Sequence, residues 1–388
     1  MATIQTSDPT DMINFAIGQP SLSILPAELI QRAAQHRLSQ RDNQYLTYGS
    51  AQGDEHLREA LATWLTPEYG HPVHGRELML TAGASQAIDL ICNTFTQPGD
   101  VIFVEEPTFF LILQLFRDYN LNIVGIPVTD QGINLAVLEE QLSTYTPKFV
   151  YTIPTFHNPT STNMPADSRL KLVQLSEKHN FYIIADEVYQ LLNYTITSPR
   201  SFSQWLNSEH VFSIGSFSKI LAPGLRLGWI QTSPKLMAQL LSRGLMASGG
   251  GLNHFTAGIV RSVLEEGWQT EYLGTLRTIY CNRVDVLDTV LRKNLPVTVQ
   301  YVKPGGGYFF WLQLPVEIDG EALHRTADKF QVGFHHGANF SSCNELNNFV
   351  RLSFAFYHAD FLVEGAHRLV AAINAHQNSL LTREKQNA

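Results

Sequence analysis

Ser213-Ile-Gly-Ser-Phe-Ser-Lys219-Ile-Leu-Ala-Pro-Gly-Leu-Arg226-Leu-Gly-Trp229 sets one lysine among serines, glycines and apolar residues. The stretch holds no carboxylate, and its other cation is Arg226. Burial and a nearby positive charge both lower a lysine's pKa and free its amine to attack a carbonyl. Ser216, Ser218 and Arg226 carry the donors a phosphate needs. A lysine in a Gly/Ser loop is more often a solvated surface cation, so the flanks must decide what this one does.

Apolar runs of strand length border the stretch at 211–214 and 227–230, and recur upstream at 78–81, 101–104, 123–126, 149–153 and 182–185. Many are continuous rather than alternating, as in strands covered on both faces. Helix-period segments at 85–96, 108–119, 166–178 and 234–245 lie between them. The alternation predicts an α/β fold: a large domain with a mostly parallel, seven-stranded sheet flanked by helices. Such sheets bind ligands at the carboxyl ends of their strands. From about Glu265 the pattern changes. A long helix over 268–292, strands at 297–302 and 308–314 around Pro304-Gly305-Gly306-Gly307, a strand at 349–354 and a helix over 360–375 predict a smaller α+β domain. Residues 1–11 and 377–388 read as polar, mobile tails.

Further segments carry chemistry. Ala185-Asp186-Glu187-Val188-Tyr189 puts an aspartate at the end of an apolar strand, on the expected ligand edge, while Glu187 receives no role. Pro154-Thr155-Phe156-His157-Asn158-Pro159-Thr160 follows another strand, although Asn-Pro by itself is only a turn former. Thr81-Ala82-Gly83-Ala84-Ser85-Gln86 opens a helix, where small residues and free N–H groups suit an anion; Ser85 could equally be a plain N-cap. Arg351 sits in the apolar run 348–354. A buried arginine needs acceptors, either an internal ion pair or a substrate carboxylate held bidentately.

Taken together, Ser-Phe-Ser-Lys219, Ala-Pro-Gly-Leu-Arg226-Leu-Gly-Trp229, Asn158-Pro159-Thr160 and the Asp186 segment resemble, in content and order, the fold-type I enzymes of pyridoxal 5′-phosphate (PLP), specifically the class I/II aminotransferases. The resemblance runs over roughly residues 14–373. It implies that Lys219 bonds covalently to the cofactor and that Asp186 pairs with its pyridine nitrogen. Asn158 and Tyr189 hold the phenolic oxygen, and Phe109 stacks on the ring. Ala84, Ser85, Ser216, Ser218 and Arg226 hold the phosphate, joined by Tyr48 from a neighbouring subunit. Gly18, Asn158 and Arg351 face the substrate, with Arg351 on its α-carboxylate. Two positions depart from the family's pattern. Phe109 lacks the hydroxyl of the usual tyrosine, and Ser161 stands where glycine is usual, which questions the local turn. The resemblance further implies an N-terminal segment over residues 1–40 packing with the small domain, a large PLP-binding domain over 41–265, a small domain over 266–388, and a homodimer with shared active sites.

The expected function is an aminotransferase moving an amino group between an L-amino acid and a 2-oxo acid by a ping-pong mechanism. The motifs look closest to the aromatic, kynurenine and 2-aminoadipate subgroup. Another PLP reaction on this fold, such as C–S β-elimination or a specialised biosynthetic step, uses the same lysine set and stays open. So does a binding or regulatory protein without turnover. With 388 residues, 44% hydrophobic and 16% charged, the chain can bury a large core. A net charge of −8 gives no nucleic-acid footprint. Cys92, Cys281 and Cys343 are too widely spaced for a disulfide framework, and residues 1–11 carry no secretory pattern, so the chain reads as cytoplasmic. No apolar run reaches membrane-spanning length. His71/His74 and His335/His336 lack metal-ligand company and read as surface or packing residues.

Overall fold

The computed structural model describes residues 11–195, 197, 199–249 and 251–387. Strand β1 (Ile13–Asn14) comes first, followed by β2 (Leu78–Thr81), β3 (Val101–Glu106), β4 (Asn122–Thr129), β5 (Gly132–Ile133), β6 (Phe149–Thr152), β7 (Tyr182–Asp186), β8 (Val211–Ser216) and β9 (Gly228–Thr232). After a long helical region come β10 (Phe309–Gln313), β11 (Val332–Gly333), β12 (His335–His336) and β13 (Phe349–Ser353). The large sheet has the order β2-β9-β8-β7-β6-β3-β4-β5. From β8 to β4 every pairing is parallel. Strand β9 runs antiparallel between β2 and β8, and the two-residue β5 is an antiparallel edge on β4.

All seven expected strands are present, and β5 is the addition. It is too short to register as an apolar run. Every residue of β6 and β8 is buried, which is why their sequences read as unbroken apolar stretches. The antiparallel course of β9 has a direct consequence. Residues 217–227 form the short connection between neighbouring strands β8 and β9, so Lys219 is held on a helical turn, Phe217–Ile220, at the carboxyl end of β8. Gly215 makes that pairing possible, because a Cβ there would lie 2.1 Å from the Trp229 ring on β9.

A second sheet, β10-β13-β12, is antiparallel. Strand β1 pairs in parallel with β11, and the Ser353 amide donates to the Phe15 carbonyl at 2.8 Å. These bonds carry the N-terminal segment past the end of β13 and bring Gly18 toward Lys219.

The structure corrects three expectations. Residues 297–302 form no strand. Only Gln300 bridges, to Gln313, and Val297 and Val302 lie exposed. The glycines after them serve a close approach: a Cβ on Gly306 would lie 2.3 Å from the Phe156 ring. Segment 234–245 divides into the helices Pro234–Leu241 and Gly244–Gly249. The C-terminal stretch, read as a mobile tail, continues the last helix, Ala359–Asn387, and its Leu380 packs on the core. At the other end, residues 1–10 lie outside the described residues.

Candidate active site

Lys219 opens into a cavity of about 380 Å³ at the carboxyl ends of β6, β7 and β8. Its Nζ donates to the Gly18 carbonyl oxygen at 3.0 Å. Burial pulls the amine's pKa down to about 8, and the Arg351 guanidinium adds to the effect. The ammonium lies 5.4 Å from the Tyr308 ring centre and 5.9 Å from that of Tyr189. Tyr308 also donates to the Lys219 carbonyl at 3.1 Å, fixing the turn.

Asp186, the last residue of β7, is buried on the same wall. Its Oδ2 accepts from the Tyr151 hydroxyl at 2.8 Å, whereas Oδ1 is buried without a hydrogen-bond partner. Burial pushes the carboxyl up to about 6, opposed by the Tyr151 hydrogen bond and the dipole of the nearby Val188 amide. An acceptor left unmatched in this way favours a cationic or N–H ligand at Oδ1.

On the opposite wall, Arg351 of β13 is buried and has no carboxylate partner among the described residues. Its Nη1 donates to Asn158 Oδ1 at 2.9 Å and its Nη2 to the Ala16 carbonyl at 3.0 Å, while Nε is unpartnered. Burial lowers its pKa to about 9. Its guanidinium carbon lies 4.1 Å from the Phe309 ring centre and 4.8 Å from that of Phe340. A buried cation with neutral partners is primed for an anion. With Asn158 Oδ1 engaged, the amide's NH₂ is the group left for a ligand.

A third cluster gathers donors. Helix Ala84–Phe95 starts at the wall after Gly83, whose φ of +89° suits glycine. No side chain caps this helix, so its first N–H groups are free for an anion. A Cβ on Gly83 would approach Arg226 Nη2 to 3.0 Å. Arg226 itself has φ +46° and donates to the Ala82 and Pro223 carbonyls at 3.0 and 3.1 Å. Ser216 Oγ and Ser218 Oγ stand 3.0 Å apart beside it.

The family described as aminotransferase class I and II matches residues 10–369. This chain belongs to it. The aminotransferase is 33% identical to aromatic-amino-acid aminotransferase 1 of Thermococcus litoralis, over 94% of this chain and 89% of the relative. It is 29% identical to 2-aminoadipate transaminase of Thermus thermophilus, over 93% and 90% of the two chains. Among solved structures it superposes on a Pyrococcus horikoshii kynurenine aminotransferase with a TM-score of 0.88 and 31% identity, covering 95% of this chain and 92% of that one. It is a transaminase, and its cofactor is PLP.

The residues of this aminotransferase fit that cofactor. The unmatched Asp186 Oδ1 answers a ring N–H, the Gly83 turn and Arg226 answer a phosphate, and Lys219 supplies a primary amine of depressed pKa. The cavity gathers Gly18, Ala84, Ser85, Phe109, Asn158, Asp186, Tyr189, Ser216, Ser218, Lys219, Arg226 and Arg351. Tyr48 alone of the expected set stands away from it, 90% exposed.

Several wall and supporting residues escaped the sequence. Tyr151 lies inside the apolar run of β6, with nothing to separate it from core. His335, read as surface or packing, lines the cavity; burial and Arg351 lower its pKa to about 3, so it is neutral. His157 turns away from the cavity, its Nε2 lying 3.1 Å from Glu105 Oε2 with both side chains buried. Glu187 has a structural task. It accepts from Ser201 Oγ and Ser213 Oγ at 2.6 Å and from the Phe202 amide at 3.0 Å. Among the described residues no group of three or more His, Cys, Asp or Glu is arranged for a metal ion, and no helix is long and apolar enough to cross a membrane.

Proposed function

We propose that this transaminase takes L-amino acids with large uncharged side chains as donors and returns the amino group to a 2-oxo acid. The carrying observation is the cavity wall. Ile17, Phe109, Phe110, Leu111 and Phe309 give it apolar faces, and His335 is neutral. Among the described residues its charged donors are Lys219, Arg226 and Arg351. Each has a task in this reading, which leaves no cation for a side-chain carboxylate. The name of the Thermococcus litoralis relative points the same way.

In this reading Arg351 binds the α-carboxylate and Asn158 orients it. When bound, PLP supplies an aldehyde and an electron-withdrawing ring. Lys219 holds the cofactor through its amine. Once released, its Nζ takes the proton from the substrate's α-carbon and hands it on as general acid. Asp186 keeps a proton on the ring nitrogen, and Tyr189 and Asn158 hold the phenolic oxygen. Phe109 offers a flat face to the ring, without a hydroxyl. Donor and acceptor use the site in turn, which gives ping-pong kinetics.

The working unit in this proposal is a homodimer in the cytoplasm, with a large and a small domain meeting near residue 265. Tyr48 is exposed, as are Leu46 and Phe255, and the short helix Gln44–Leu46 packs on helix His254–Glu265. An apolar surface of this kind suits a second copy, whose cofactor phosphate Tyr48 would reach. The three free cysteines suit a reducing compartment.

Half-reactions of the PLP enzyme with single donors, without acceptor, test the substrate reading by the conversion of the cofactor's absorbance to its amine form. Phenylalanine, tyrosine and leucine should react with kcat/KM at least about tenfold above aspartate and glutamate. A preference for the acidic donors would overturn it.

A further inference from the structure

We propose that Ser161 is a positioning residue that clasps the Asn158 loop to strand β10 and so sets the geometry of the carboxylate-binding pair Asn158–Arg351. This rests on the reading of Arg351 as the carboxylate site. Ser161 has φ +61°, a left-handed backbone that a serine adopts at a cost. Its hydroxyl donates to the Phe309 carbonyl at 2.5 Å, a bond across 148 residues from the large-sheet loop to the second sheet. The Ser161 amide also donates to the His157 carbonyl at 2.6 Å, closing the turn that carries Asn158.

The contacts form a ring. From Ser161 the loop leads back to Asn158, whose Oδ1 accepts from Arg351 Nη1 at 2.9 Å. The Arg351 guanidinium lies against the Phe309 ring, and the Phe309 carbonyl takes the Ser161 hydroxyl. On its other side the loop is tied to β3. Glu105 faces His157, while Thr160 donates its amide to His157 Nδ1 at 3.3 Å. The β3 side is therefore held within the large sheet, and the Ser161 hydroxyl makes the tie to β10. Glycine would adopt the same turn without strain, but it has no group to make that tie. A serine here exchanges local backbone ease for a bond between the two halves of the site.

Two variants of the PLP enzyme separate these effects: Ser161→Gly removes the hydroxyl and relieves the backbone together. Ser161→Ala removes the hydroxyl and keeps the strain. Binding of 3-phenylpropionate, an unreactive carboxylate, is followed through the cofactor's absorbance, alongside KM and kcat for phenylalanine and the melting temperature. Both variants should bind 3-phenylpropionate about three- to tenfold more weakly and raise KM by a similar factor, with kcat changing less than about twofold. Ser161→Gly should melt no lower than Ser161→Ala. Unchanged affinity in both variants, or loss tracking only the melting temperature, overturns the clasp. Arg351→Lys serves as the control. If it weakens 3-phenylpropionate binding and the Ser161 variants do not, the clasp falls and the carboxylate reading stands. If Arg351→Lys has no effect, the carboxylate reading falls and takes the clasp with it.

Discussion

Lys219 Nζ and the Gly18 carbonyl oxygen are 3.0 Å apart, joining the turn after β8 to a segment 201 residues earlier in the chain. The partner is a neutral carbonyl, and among the described ion pairs none involves Lys219. A lysine held this way is fixed in position without being locked in its charged form. A carboxylate in the place of that carbonyl would raise the amine's pKa and slow its reaction with an aldehyde.

Lys219 should accordingly titrate near 8. In the apoprotein, the rate of its reaction with an aldehyde should rise with pH with a midpoint near 8, rather than near the 10.5 of an ordinary lysine. Arg351→Met removes the like charge but leaves the burial, so the midpoint should move upward while staying below 10.5. The stability sign follows from proton counts. Between pH 8 and 10.5 the unfolded chain keeps a proton that the folded one has lost, so this group's penalty is full below pH 8 and fades as pH rises to 10.5. Lys219→Met should therefore raise the apoprotein's melting temperature most at neutral pH. A stabilisation that grows above pH 8 would contradict this.

Tyr151 holds Asp186 in its charged form. Tyr151→Phe leaves the ring in the buried face of β6 and removes only the hydroxyl donor at 2.8 Å. The carboxyl's pKa should climb further above 6, because burial is then less opposed. A hydrogen bond to a buried charge is worth about 1.5–3 kcal/mol, so PLP affinity should drop by roughly tenfold or more, most sharply below pH 6. Equilibrium titration of the apoprotein with PLP at pH 5.5 and pH 8 reads this directly. Equal affinity in variant and wild type at both pH values would show that the hydroxyl does not support the carboxylate.

Tyr48 is exposed in one protomer, so its proposed role is best read in hybrids. Tyr48→Phe homodimers should bind PLP about tenfold more weakly, the value of a lost bond to a charged oxygen. Lys219→Ala homodimers should yield no cofactor attached by borohydride reduction. A hybrid of the two regains one site, in which the lysine comes from the first variant and Tyr48 from the second. That site should bind PLP with wild-type affinity. If every hybrid site remains as weak as in the Tyr48→Phe homodimer, the tyrosine does not cross between subunits.

Much of this was legible in the chain before folding. Buried parallel strands leave continuous apolar runs, so the seven main strands and the helices between them could be read directly. Asp186 stands out as a polar group closing an apolar run, which has few structural uses, whereas Asn158 and Lys219, each an ordinary loop residue by itself, drew their expected roles from the resemblance of the ordered motifs around them. The sequence alone also fixed the small residues of the Gly83 turn, whose backbone conformation is a local property. What it could not carry were relations across long separations. Tyr151 looks like any core aromatic until Asp186 stands opposite it on β7. His335 looks like a surface histidine until Phe110 and Arg351 strip its water away. Ser161 looks like a flaw in a glycine turn until β10 supplies a carbonyl. Desolvation and hydrogen bonding depend on which atoms become neighbours, and those neighbours lie far apart in the chain. Local order could therefore be read from local residues, whereas the pKa of Lys219, the unmatched Asp186 oxygen and the unpaired Arg351 cation exist only once the two sheets close around one cavity.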